Sequence, residues 1–243
     1  MIPEVANLQG QGSRAEQQDA FGLSLLSEYE EKGLLAVLCD GMGGMEDGRE
    51  IAQLCVQKIL AEFPLPADPE AIAAFDETLT RISDDIYEQH EGRGGSTLVL
   101  AYIRNGKLWF KCMGDSDFFL IRYDSVYALN RHQTFGIDQL RLSIDTGMEA
   151  ESSLTGPQAG ALTGFMGCSV PSVEGNTIPL PLEDGDILLL CSDGVSGTLS
   201  RRTLLEDLKE DIQAGAARID EQVQAAAKPN QDNYTAIICK YNA

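Results

Sequence analysis

The chain has 243 residues, enough to bury a full core in one large domain or two small ones. Its hydrophobic and charged fractions, 43% and 23%, are those of a water-soluble globular protein, but 18 Lys and Arg against 38 Asp and Glu leave a formal net charge of −20. Such a surface repels nucleic acid and anionic membranes, which excludes both as partners. None of the six cysteines has the C-x-x-C spacing of common zinc sites, and Cys39, Cys112, Cys191 and Cys239 sit in apolar runs as small hydrophobes. There is no basic start followed by an apolar h-region and no run of 18 apolar residues, so a cytoplasmic, reducing location without a membrane span is expected.

In chain order, strand-length apolar runs at 20–26 and 34–39 come first. Residues 48–62 then place Ile51, Leu54, Cys55 and Ile59 on one helical face, and residues 69–90 do the same with Ile72, Phe75, Leu79, Ile82 and Ile86. Strands are predicted at 97–103, 107–113 and 118–123. The first two form a hairpin in YIRNGKLWF, where Asn105-Gly106 suits a type I′ turn. Residues 131–172, rich in Gly, Ser and Thr, read as a surface excursion. A strand at 186–191, a helix over 200–213 with Leu204, Leu205, Leu208 and Ile212, and a strand at 234–241 complete the pattern. Helices interrupt groups of consecutive strands instead of alternating with single ones, which argues for α+β with antiparallel sheets. No linker or repeat is visible, so residues 1–243 read as a single domain.

The chemistry concentrates where strands end. LLAVLCDG closes on Asp40-Gly41 and DILLLCSDG on Asp193-Gly194; KLWFKCMGDSD runs out at Asp115, and Asp232 opens the strand of NQDNYTAIICKY. A lone Asp-Gly after a strand is usually only a turn. Four such ends, two of them near-copies, form an all-oxygen cluster if they converge, and hard cations such as Mg²⁺ or Mn²⁺ suit that ligand set. Gly41 lets the backbone approach an ion and offer its carbonyl. Competing motifs fail. GDSDFF lacks the Gly at position six and the Glu at position twelve of a calcium loop, GRGGST has no Lys, and GVSGT is no nucleophile elbow. His90 and His132 lack a triad context and read as structural or solvated.

With these residues in place the sequence resembles the metal-dependent type-2C (PPM) protein serine/threonine phosphatases of the bacterial kind. GSRAEQQDAFG, CDGMGGMEDG, GGSTLVL, GDSD, ALTGFMG, CSDGVSG and QDNYTAII match that family's motifs in its order, over nearly the whole chain. The resemblance implies a four-layer α-β-β-α sandwich with two central antiparallel sheets and a site at one end. It implies hydrolysis of phosphoserine and phosphothreonine by direct attack of a metal-bridging hydroxide, with two ions of Mn²⁺ or Mg²⁺ and a third, weaker one. Asp40 would bridge the two metals, Gly41 would ligate one through its carbonyl, and Asp193 and Asp232 would hold the other. Asp19 would orient metal-bound water, Arg14 would clamp the substrate phosphate, and Asp115 would contact the third metal. The implied partners are a phosphorylated protein and a cognate Ser/Thr kinase, with the chain acting as a monomer.

The sequence departs from the family pattern at four places. Gln18 stands for the usual Glu beside Asp19, Asp117 for the Arg of the usual GDSR, Gly164 for a frequent Arg, and Gly197 where many members have an Asp. Met42 sits where many eukaryotic members have a His, which leaves no histidine acid there. Gln18, Asp117 and Gly197 motivate one alternative, a catalytically weak pseudophosphatase acting as a binding or regulatory module; the intact Asp40, Asp193 and Asp232 favour the enzyme.

Overall fold

The computed structural model describes residues 3–42, 47–62, 71–147 and 155–242, excepting the side chains of residues 71–73. Gly43, Gly44 and the Ile72 side chain of the predicted elements lie outside the described set. Along the chain, β1 (Glu4–Gly10) and β2 (Asp19–Leu23) precede the single turn α1 (Tyr29–Lys32) and β3 (Leu34–Asp40). Helices α2 (Gly48–Glu62) and α3 (Ala71–Gln89) lead to four strands, β4 (Leu98–Arg104), β5 (Lys107–Met113), β6 (Asp117–Arg122) and β7 (Ser125–Ala128). Helix α4 (Phe135–Thr146) and the short strands β8 (Glu174–Gly175) and β9 (Leu180–Pro181) precede β10 (Ile187–Cys191). The rest comprises α5 (Asp193–Ser196), α6 (Arg201–Leu208), α7 (Ile212–Ala225) and β11 (Tyr234–Lys240).

The strands form two antiparallel sheets. One runs β1-β11-β10-β6-β7; the other runs β2-β3-β4-β5-β8, with β9 also on β5. Three apolar layers fix the sandwich. Leu34, Ala36 and Leu38 of β3 face Leu188, Leu190 and Ile237 between the sheets. Leu35, Val37 and Cys39 point the other way, onto Ile51, Cys55 and Ile59 of α2 and Phe75, Leu79 and Ile82 of α3. Across the molecule, Leu189 and Ile238 pack under Leu204 and Leu208 of α6 and Ile212, Ile219 and Val223 of α7. A strand buried on both faces has no polar alternate positions, which is why LLAVLC reads as an unbroken apolar run. The layers are therefore α-β-β-α, as the resemblance implied.

The Asn105-Gly106 hairpin forms as expected, with φ of 51° and 69°. Besides the short elements α1, β7, β8, β9 and α5, the structure differs from the sequence reading in three places. The helix expected over 200–213 is two helices: Ser200 caps α6 by accepting from the Thr203 N–H (3.1 Å), and Asp211 starts α7 by accepting from the N–H groups of Gln213 and Ala214 at 2.8 and 2.9 Å. The excursion at 131–172 contains α4. Strand β1 was not expected, because it buries only Ala6 and Leu8 against the helix layer.

Candidate active site

Antiparallel pairing puts alternate strand ends at one end of the sandwich, and the acidic residues collect there. Asp40 is the last residue of β3 and pairs in register with Asp19, the first of β2. Asp193 opens α5 two residues past β10, Asp115 lies in the β5–β6 turn, and Asp232 stands two residues before β11. Asp40, Gly41, Asp115, Asp193 and Asp232 line one cleft of about 240 Å³, with Met42 and Thr97 beside them. Gly160, Ala161 and Leu162 form its outer wall. The four strand-end carboxylates thus converge, from both sheets.

Each is set by backbone. The carbonyl of Asp40 accepts from Thr97 N–H (2.8 Å) and from the Ser96 hydroxyl (2.9 Å), and its N–H donates to Thr97 Oγ1 at 3.0 Å. Gly41 N–H donates to the Gln18 carbonyl. A Cβ on Gly41 would meet the Gly48 carbonyl and lie 2.7 Å from that of Gln18, so only glycine fits between these backbones. Asp19 is buried; its Oδ2 accepts from Ser192 Oγ (2.8 Å) and Thr235 Oγ1 (2.7 Å), both from the other sheet. Its Oδ1 is buried with no hydrogen-bond partner. Arg14 Nη2 donates to Asp232 Oδ2 at 2.6 Å, with both side chains half-exposed.

The electrostatics follow from the crowding. Burial, then the negative charges of Asp19, Asp193, Asp115 and Asp232, hold the Asp40 carboxyl well above the usual carboxylate range. Asp193 is pushed up to about 6 by burial and by Asp115, Asp232 and Asp19, with Arg14 opposing. Burial raises Asp115, partly offset by the nearby His132. Burial also raises Asp19, against the two hydroxyl hydrogen bonds that pull it down. Carboxyls that raise one another in this way are a site short of positive charge. Among the described residues, no three His, Cys, Asp or Glu side chains already stand close enough together to hold one ion. The donor set fits hard divalent cations: four carboxylates and the Gly41 carbonyl offer oxygen alone, and the buried Asp19 Oδ1 has an acceptor position to spare.

Residues that the sequence reading passed over hold the site together. Asn233 is 3% exposed; its Oδ1 accepts from the Gln18 N–H (2.8 Å) and its Nδ2 donates to the carbonyls of Gln11 (2.8 Å) and Glu16 (3.0 Å). It thereby fastens the loop that carries Arg14 beside Asp232. Ser96, Thr97, Ser192 and Thr235 do the same for Asp40 and Asp19. All five lie inside the motifs GGST, CSDG and QDNYT, so their adjacency to the carboxylates was the available signal. His132 is not merely solvated: its Nε2 lies 2.9 Å from Oδ1 of the buried Asp117.

The family model for Protein phosphatase 2C matches residues 11–231. The serine/threonine phosphatase stp of Listeria innocua is 24% identical over 225 residues, covering 88% of this chain and 87% of that protein. Among solved structures, the Mycobacterium tuberculosis serine/threonine phosphatase PstP/Ppp superposes with a TM-score of 0.80 at 24% identity, covering all of both chains. The catalytic domain of PstP in complex with two manganese ions superposes at 0.76 with 23% identity, covering 99% of each. The fold, the motif order and the matched span agree, and the chain belongs to the protein phosphatase 2C family of serine/threonine phosphatases.

Proposed function

We propose that this chain hydrolyses phosphoserine and phosphothreonine on a protein substrate with two divalent cations, Mn²⁺ or Mg²⁺. The observation that carries this reading is the convergence of Asp40, Asp193 and Asp232, with the Gly41 carbonyl, on one cleft whose carboxyls repel one another. Asp40, which feels every other acid of the cleft, would be shared by both ions; the Gly41 carbonyl would serve one, and Asp193 and Asp232 the other. Bound there, the cations supply Lewis acidity, lowering the pKa of water toward neutrality and drawing charge from the phosphoryl oxygens.

The chain's own residues supply the rest. Asp19, clamped by Ser192 and Thr235, keeps an acceptor oxygen fixed beneath Asp40. Arg14 exchanges Asp232 for the phosphoryl oxygens, which its planar fork matches in pairs. Thr97 carries the one hydroxyl among the described lining residues, and it is engaged with Ser116 Oγ at 2.7 Å and the Asp40 N–H. The phosphoryl group therefore passes to water and not to a hydroxyl of the protein. Met42 offers no proton to the leaving oxygen. Asp115 would contact a third, weaker ion, for which Gly197 brings no second carboxylate.

Residues 1–243 would act as one phosphatase domain, since Arg14 and Asp232, far apart in the sequence, form one ion pair at the edge of the cleft, and the chain would act as a monomer. A Ser/Thr kinase acting on the same protein is the partner this chemistry requires. All six cysteines are free thiols, which suits the cytoplasm, and no described helix is long and apolar enough to cross a membrane. The test is hydrolysis of p-nitrophenyl phosphate and a phosphothreonine peptide with chelator and with Mn²⁺. Loss of turnover with chelator and its return with Mn²⁺ is expected; no hydrolysis at any Mn²⁺ concentration would overturn the reading.

A further inference from the structure

Asp115 sits in the β5–β6 turn, and the residues around it are gripped by one short segment following β7. Gln133 holds Gly114 twice: its backbone N–H donates to the Gly114 carbonyl (2.9 Å), and its Oε1 accepts from the Gly114 N–H (3.0 Å). Asn130 holds the other side, donating to the Ser116 carbonyl and accepting from the Phe118 N–H, both at 2.8 Å. His132 pairs with Asp117 between them. Gly114, Ser116, Asp117 and Phe118 are thus each tied to Asn130, His132 or Gln133, while the Asp115 carboxyl is left to the cleft.

The same segment continues into the opposite lip of the cleft. The Gln133 carbonyl accepts from the Thr163 N–H (2.9 Å), Thr134 bridges Leu162, and the Phe135 N–H donates to the Ala161 carbonyl (2.8 Å). Gln133 is 6% exposed, and its Nε2 donates to the Ser172 carbonyl at 2.8 Å, so both ends of its amide are used. A Cβ on Gly164 would run into Gln133 Oε1. The departure at Gly164 therefore makes room for this glutamine.

We propose that Asn130, His132 and Gln133 are positioning residues of the phosphatase reaction, a clasp that fixes Asp115 and sets its distance from the Ala161–Leu162 lip. Gln133 is the central member, because it alone reaches the Asp115 turn and the far lip. The inference rests on the functional reading above. It predicts that loosening the clasp slows turnover through Asp115, leaves the ligands Asp40, Asp193 and Asp232 in place, and weakens a phosphopeptide, which must pass between the lips, more than a small aryl phosphate.

The test is a double-mutant cycle of Gln133→Met with Asp115→Asn, with Asn130→Ala as a milder second variant. Metal is titrated to saturation, and folding is checked by circular dichroism and thermal melting. A misplacement near 1 Å costs up to about 100-fold, so a fall in kcat on the order of 10- to 100-fold is expected for Gln133→Met. KM for the phosphothreonine peptide should rise more than KM for p-nitrophenyl phosphate. In the Asp115→Asn background the same change should do little more, because the group it positions is gone. Hydrogen exchange of the metal-free protein gives a readout independent of turnover: Gly114 N–H should lose protection in Gln133→Met while the β3 and β4 amides keep theirs. Full additivity in the cycle, or unchanged kcat in a folded Gln133→Met protein, would overturn the clasp alone. A wild-type protein without metal-dependent hydrolysis would instead overturn the functional reading.

Discussion

Asp193→Asn tests the charge argument without relying on turnover. The unfolded chain releases this proton near pH 3.8 and the folded chain at about 6, so the folded state is the proton-richer one between. The carboxyl costs nothing below the lower value. Its cost appears as the pH rises through the window and is complete above about 6. A displacement of about two units corresponds to about 3 kcal/mol. The side chain opens onto the cleft, and solvent screening reduces that to about 1–2 kcal/mol. Removing the charge while keeping the shape should therefore stabilise the metal-free protein at pH 8, raising Tm by about 2–8 °C for a chain of this size. Near pH 4 the two proteins should melt together. Adding Mn²⁺ should reverse the order, since ligand at 100 times Kd adds about 2.7 kcal/mol to the protein that binds it. Thermal melts at pH 4 and 8, with chelator and with Mn²⁺, give all four numbers. Equal melting at pH 8 without metal, or an equal gain from Mn²⁺ in both proteins, would refute the reasoning.

Three further outcomes are expected. Arg14→Ala should lower kcat/KM by about 10- to 100-fold, as loss of a charged hydrogen-bond partner does, while calorimetry shows Mn²⁺ binding no weaker, since Asp232 loses a competitor; collapse of metal binding would make Arg14 structural. Gly41→Ala should abolish turnover and destabilise the fold by more than about 1 kcal/mol, because its methyl group meets backbone on two sides; wild-type melting and activity would refute the close approach. Met42→His should speed phosphoserine peptide hydrolysis more than that of p-nitrophenyl phosphate, whose leaving group needs little help; an equal effect on both would show that proton donation is not what the cleft lacks.

Much of this was legible in the sequence because strand ends announce themselves. Asp40, Asp115, Asp193 and Asp232 each interrupt or open an apolar run, and a charge in such a place has few reasons to be there. Helices with large buried side chains, such as α2 and α3, were equally plain. What escaped were elements whose burial is cheap. Strand β1 covers its sheet edge with Ala6 and Leu8 alone, and two of the five buried residues of α7 are Gly215 and Ala216. The positioning residues escaped for another reason. Asn233, Gln133 and Thr235 act through hydrogen bonds to partners as much as 222 residues away, and no local pattern encodes such a partner.

The strand order of the first sheet bears on how the protein comes into being on the ribosome. Strand β11 lies between β1 and β10, so β1 has no neighbour in its sheet until Tyr234–Lys240, far later in the sequence, has been translated. Arg14 likewise waits for Asp232, 218 residues further on. At about 5–20 residues per second this is an interval of many seconds, in which the second sheet and its two helices are made before the last strand of the first sheet. A nascent chain is therefore silent as an enzyme until Asp232 and β11 have been made. A message broken anywhere before Asp232 yields a product that lacks a cleft carboxylate, an inner strand of a sheet and the anchor of its arginine together, so premature termination produces no partly active phosphatase.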